Sequence, residues 1–269
     1  MSMREALSKL RGTFPELKPG HVWLAGAGPG DPGLLTLDAL AGLAQADIIV
    51  HDALVDKAIL ALAHDGARLE FAGKRGGKPS ASQDDISKHL VAFARGGKRV
   101  LRLKGGDPCM FGRGGEEALA LAEAGIPFRL IPGVTAGLAG LAAASIPATF
   151  RGINQAVIFA TGHGADDELD WPALARTGQP IVFYMAMHNL ASIVSALKGA
   201  GLSGETPAAI IASATTAQQR ILVSTLKHLV AEVQANSFEP PAIVVVGGIV
   251  AVRERLLELI GESKEKAIP

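Results

Sequence analysis

The chain has 269 residues, of which 48% are hydrophobic and 4% aromatic, and its 26 basic and 26 acidic side chains give a formal net charge of zero. Balanced charge excludes attachment to nucleic acid by bulk basicity, and the scarcity of aromatics argues against a base-stacking platform. Charged residues make up only 19% and mean hydropathy is +0.29, which excludes a disordered chain and predicts aliphatic cores, about two domains' worth at this length.

Residues 1–20 carry charges throughout and lack the apolar core of a secretory signal, so they read as an N-terminal extension with helical character. From His21 onward short β-rich runs alternate with longer helical patterns, the mark of βαβ units. Strands are predicted at 22–28, 47–52, 67–73, 98–108 and 127–133, and helices at 34–45, 84–97, 115–125 and, built of small residues, 135–144. A second series follows, with strands at 156–164, 180–187, 207–213, 220–226 and 241–250 and helices at 189–201, 226–235 and 252–262. Pro147, Gly152 and Asn154 cluster between the two series. The expected organisation is an extension (1–20), an N-terminal α/β domain (21–148) and a C-terminal α/β domain (149–269), both with mostly parallel sheets. Residues 130–150 carry no charge, but Pro132 and Pro147 interrupt them, so they read as buried chain rather than a membrane span. The single cysteine, Cys109, has no internal disulfide partner and fits a reducing, cytoplasmic compartment. The seven histidines show no HxxxH or HxH spacing, so no metal is expected.

Ligands in parallel α/β sheets bind beyond the carboxyl ends of the strands, where loops converge and helix N-termini present unpaired N–H groups. Three such loops are richer in glycine and polar residues than a plain connection needs: GAGPGDPG (26–33), GKRGGKPS (73–80) and KGGDPCMFGRGGEE (104–117). The first is not a dinucleotide fingerprint, because the third glycine of that pattern falls at Asp31 and two prolines delay the helix. In the third, Gly105 and Gly106 permit close backbone approach, Asp107 can accept from a ligand ammonium or hydroxyl, and Pro108 fixes the turn. Glu116 and Glu117 are explained as first-turn residues of the following helix. Cys109 reads as a packed side chain, since no base accompanies it. Asp52 ends the second strand and Lys74 follows the third; on one sheet they face one cleft as a base and an acid, the alternative being solvated loop charges.

With these loops in order, the chain resembles the tetrapyrrole methylase family. The matching segments are GAGPGDPGLLTL, IVHDALV, FAGKRGGKPS, VLRLKGGDP with FGRGGEEA, IPGVTAG, ATGH and PPAIVVVG, with weaker similarity at FYMAM and ATTAQQR, spread over residues 22–250. The resemblance implies two α/β domains with an active-site cleft between them, S-adenosyl-L-methionine as methyl donor, no metal, and a homodimer. It implies two successive methyl transfers to pyrrole carbons of uroporphyrinogen III, giving precorrin-2 for siroheme and cobalamin synthesis. By position it nominates Pro29, Gly105, Gly106, Asp107, Met110, Thr135, Ala136, Met185 and Ala214 as donor contacts, Asp52 as proton acceptor and Lys74 as proton donor. Two departures stand out: Cys109 replaces an aromatic after GGDP, and Phe150 replaces a histidine before Arg151. A sibling methylase acting on a later precorrin and a donor-binding module without catalysis remain as alternatives.

The zero net charge hides an asymmetry. Between residues 68 and 113 there are eleven Lys/Arg against four Asp/Glu, a basic stretch that suits a polycarboxylate substrate by local field, or is simply solvated.

Overall fold

The computed structural model describes residues 3–10, 12–73, 83–163 and 169–261. Contacts divide the chain into two compact units, 1–135 and 136–269, so the division falls at the start of the small-residue helix, earlier than the Pro/Gly/Asn cluster.

After a short helix α1 (Met3–Ser8), the first unit runs β1 (Val22–Gly26), α2 (Leu37–Gln45), β2 (Ile48–His51), α3 (Lys57–Leu60) and β3 (Arg68–Phe71). It continues with α4 (Gln83–Arg95), β4 (Val100–Lys104), α5 (Gly114–Glu123) and β5 (Phe128–Ile131). The five strands form one sheet in the order β3-β2-β4-β1-β5, parallel throughout as expected. Alternation assigns their side chains to two cores. Trp23, Ala25, Ile49, Leu101 and Leu103 pack with Ala39 and Leu43 of α2, and Val22, Leu24, Val50 and Val100 pack with Leu90 of α4 and Leu121 of α5. Each fully buried aliphatic side chain contributes about 1.5–3 kcal/mol. The helix after β1 begins at 37, not 34: Asp31 caps a 3-10 turn at Pro32–Leu34, and Thr36 then caps α2 by accepting the Ala39 N–H. The prolines enforce that delay.

The second unit comprises α6 (Ala136–Ala143), β6 (Ile158–Thr161), α7 (Trp171–Arg176), β7 (Ile181–Tyr184), α8 (Leu190–Gly199), β8 (Pro207–Ala212), β9 (Arg220–Thr225), α9 (Leu229–Ala235), β10 (Ala242–Val246) and α10 (Val250–Leu259). Its sheet has the order β6-β7-β10-β8-β9 around a core that includes Phe183, Leu197, Ile210 and Val244. Here only β6 and β7 pair in parallel; β10 is antiparallel to β7 and β8, and β8 to β9. The physical reason is connection length: residues 213–219 are too few for the crossover that parallel neighbours need. The uncharged 130–150 stretch divides among β5, α6 and loops, and no helix among the described residues is long and apolar enough to cross a membrane.

Candidate active site

In the first sheet the connection from β1 leads through α2 to the far side of β4, and the connection from β4 leads through α5 to β5 beyond β1. The two loops therefore diverge from neighbouring strands, a topological switch point at which α/β sheets form their ligand crevice. They are also fastened together. Ala27 donates its N–H to the Lys104 carbonyl at 2.7 Å, Gly28 donates to the Gly106 carbonyl at 3.1 Å, and Gly106 donates back to Gly28 at 2.7 Å.

Glycine is required where three strand ends cross. A Cβ at Gly26 would stand 2.5 Å from the Gly106 carbonyl oxygen, and one at Gly133, after β5, would run into that same oxygen. Gly105 is equally constrained by Leu54, whose Cβ would lie 2.5 Å from an added Cβ. Asp107 ties the arrangement: its Oδ1 accepts the Cys109 N–H at 2.8 Å and its Oδ2 the Gly133 N–H at 3.0 Å. A carboxylate has about four acceptor positions, so Asp107 keeps room for a ligand ammonium or hydroxyl. The backbone-lined, glycine-rich mouth with that carboxylate fits an amino-acid-bearing methyl donor. Phe111 and Arg113 adopt left-handed backbone at φ 54° and 58°, folding residues 108–114 so that Gly114 donates to the Pro108 carbonyl at 2.8 Å. Half-buried Met110 lies within this fold, and half-buried Pro29 within the facing loop.

Asp52 follows β2 on the other flank of β4. Its Oδ1 accepts the Leu54 N–H at 2.9 Å, and its carboxylate also receives the Gly105 N–H at 3.3–3.4 Å. Asp52 is thus bonded to Gly105, the first residue of the consecutive Gly105, Gly106 and Asp107, with Met110 farther along the same loop and Pro29 on the loop after β1. Lys74 lies outside the described residues. Buried Thr135 ends the first unit and Ala136 opens α6 in the second.

Within the second unit, Met185 follows β7 and Ala214 follows β8 at the same edge of the sheet, separated by β10 and so about 10 Å apart. Met185 is exposed and sits at φ 53°; Ala214 is buried between Ser213 at φ 47° and Thr215 at φ 64°. The same sparsely populated backbone region thus recurs at two successive strand ends. The Gly137 N–H donates to the Tyr184 hydroxyl at 3.0 Å, which fixes the first turn of α6 against β7.

One buried group escaped the sequence reading. Arg102 and Lys104 project from β4 toward α5, where the Oε1 of fully buried Glu117 accepts from Arg102 Nε at 3.1 Å and Lys104 Nζ at 3.0 Å. Burial, and next the Arg102 charge, push the Lys104 ammonium below the usual lysine range, while Glu117 and Asp52 act the other way. Its signal was present in the sequence: a central parallel strand normally reads as continuous hydrophobics, and VLRLK breaks that rule twice on one face. Among the described residues no group of three or more His, Cys, Asp or Glu is arranged to hold a metal.

The family model for tetrapyrrole (corrin/porphyrin) methylases matches residues 21–230. A uroporphyrinogen-III C-methyltransferase of Sinorhizobium sp is 56% identical over 90% of this chain and 88% of its own length. A siroheme synthase of Pseudomonas aeruginosa is 46% identical over 96% of this chain, which spans only 56% of that longer protein. Among solved structures, a uroporphyrin-III C-methyl transferase from Thermus thermophilus, complexed with S-adenyl homocysteine, superposes with TM-score 0.74 at 36% identity over 86% of this chain and 99% of its own. A cobalt precorrin-4 methyltransferase gives TM-score 0.79 at 27% identity over 89% and 99%. With two α/β sheets, glycine-locked strand ends and a family match over most of its length, the chain belongs to the tetrapyrrole methylases.

Proposed function

We propose that the protein is an S-adenosyl-L-methionine-dependent C-methyltransferase that methylates uroporphyrinogen III twice to give precorrin-2, feeding siroheme and cobalamin synthesis in the cytoplasm as a homodimer. The observation that carries this reading is the joined loop pair of the first unit, with Asp52 held at Gly105 beside it. The similarity to the Sinorhizobium and Thermus methyltransferases supports the substrate and the donor.

Pro29, Gly105, Gly106, Asp107, Met110, Thr135, Ala136, Met185 and Ala214 are assigned to the donor. When bound, the donor supplies a methyl group already activated by its sulfonium, so transfer breaks a C–S bond and forms a C–C bond to a pyrrole carbon. What remains for the protein is to align the carbon, exclude water and manage a proton. The methylated macrocycle must lose a proton, which Asp52 accepts on its carboxylate; Lys74 is assigned the complementary donor role. The basic 68–113 stretch draws in the carboxylate-rich ring.

The test is anaerobic incubation with labelled donor and uroporphyrinogen III, counting methyl groups on the product. Two methyl groups are expected. No labelling, with a later precorrin accepting methyl instead, moves the assignment to a sibling methylase. An Asp52→Ala protein that binds S-adenosylhomocysteine normally and turns over at the parent rate removes Asp52 from its role.

A further inference from the structure

The group beneath the β4 loop holds a charge that its own members do not cancel. Arg102, Lys104 and Gln83 all donate to Glu117 Oε1, while Glu117 Oε2 is buried with no partner among the described residues. The Arg102 and Lys104 side chains are 3% and 6% exposed and that of Glu117 is 0%. Two cations on one carboxylate leave one positive charge, which a low-dielectric interior tolerates poorly unless another anion answers it.

Two carboxylates of the adjoining loop are already engaged. Glu116 is engaged by Arg113 at 2.5 Å, and Asp107 is turned to the Cys109 and Gly133 N–H groups. Asp52 is different. Its carboxylate receives the N–H of Gly105, the residue next to Lys104 in the chain, and after Glu117 it is the anion that favours the charged form of Lys104.

We propose that Lys104, anchored by Glu117 and flanked by Arg102, is the positioning residue for Asp52, supplying the one buried positive charge that the Asp52 carboxylate completes. This rests on the reading of Asp52 as proton acceptor. Arg102, Lys104, Glu117 and Asp52 together close to neutral. When Asp52 takes up a proton from the substrate the group carries one positive charge, and neutrality returns when that proton moves on. Lys104 touches neither substrate nor donor in this scheme; it acts through Asp52.

A charge-balance cycle tests this, with the full-length protein and S-adenosylhomocysteine calorimetry as the control for folding. Lys104→Met leaves one excess negative charge and is expected to lower kcat about 100-fold, with S-adenosylhomocysteine affinity within about threefold of the parent if only the charge is lost. Lys104→Met/Glu117→Gln restores the charge count and is expected to recover kcat about tenfold over Lys104→Met, whereas losses of packing and hydrogen bonds would accumulate. Lys104→Arg, which keeps the charge, should stay within about fivefold of the parent if charge is what matters. Lys104→Met at the parental rate, or a double variant no faster than Lys104→Met, overturns the proposal. If Lys104→Met fails to fold, a folded and active double variant supports it and an unfolded one overturns it. Asp52→Asn at the parental rate overturns the proton-acceptor reading itself. A slow Asp52→Asn beside additive Lys104 and Glu117 losses overturns only the role of Lys104.

Discussion

The Asp107 carboxylate accepts the backbone N–H of Gly133 at 3.0 Å, across 26 residues of sequence, and so joins the loop after β4 to the end of β5. Since its second oxygen holds the Cys109 N–H, this one side chain sets the shape of the glycine-rich mouth before any ligand arrives. Asp107→Asn keeps the volume but offers an acceptor to only one of those two N–H groups and turns its own amide donor toward the other. It is expected to destabilise the protein by about 1–3 kcal/mol and to weaken S-adenosylhomocysteine at least about tenfold, read by thermal melting and calorimetry.

Gly133→Ala is the steric counterpart. The added methyl meets backbone oxygen rather than a side chain that can rotate away, so the cost should be about 1–3 kcal/mol with loss of donor binding. Gly115, in the first turn of α5, has nothing within 4 Å of an added Cβ. Gly115→Ala should therefore raise stability by about 0.5 kcal/mol and leave turnover unchanged. Equal losses in the two variants would contradict the crossing of strand ends described above.

Cys109 is exposed, yet partial burial of its thiol and then the Asp107 charge push it above the ordinary cysteine range. The thiolate is therefore scarce at neutral pH, and the contact the residue makes with Asp107 is through its backbone. Cys109→Ser is expected to keep kcat within about twofold. A loss of activity on that change, or rapid alkylation at pH 7, would assign the sulfur a chemical role.

Asp47 and Arg99 offer a pH test of stability away from the site. The Arg99 side chain, then its backbone N–H, lowers the Asp47 carboxyl from 3.8 to about 2. A depressed carboxyl stabilises the fold above its unfolded value, and the contribution fades as pH falls from about 4 through about 2. The two side chains are 31% and 38% exposed, so solvent screening reduces the gain to about 1 kcal/mol. Asp47→Asn should therefore melt below the parent at pH 7, and most of the gap should be gone by pH 2. A gap that persists in full at pH 2 would show that shape, not charge, made the difference.

The local features of the chain were legible because they follow from local chemistry. Strand runs and the glycine that ends α5 are written in neighbouring residues, and Asp52 was singled out because it ends a predicted strand, whereas the start of α2 was read three residues early because a 3-10 turn occupies Pro32–Leu34. Short α3 and α7, by contrast, have too few residues for a periodic pattern, and only their capping residues Asp56 and Asp170 announce them. The antiparallel pairing of β8 and β10 was not legible either, because an aliphatic strand buried on both faces reads alike in either direction.

By itself the sequence determined the alternation of strands and helices, the loops that carry glycine at strand ends, and the family those loops resemble. Only the tertiary structure decided that Gly26, Gly106 and Gly133 cross at one point, and that Glu117 serves Arg102 and Lys104 rather than merely opening a helix. The reason is physical: backbone approach and the cancelling of buried charge depend on distances between residues far apart in the chain, and strand order, which composition does not encode, sets those distances.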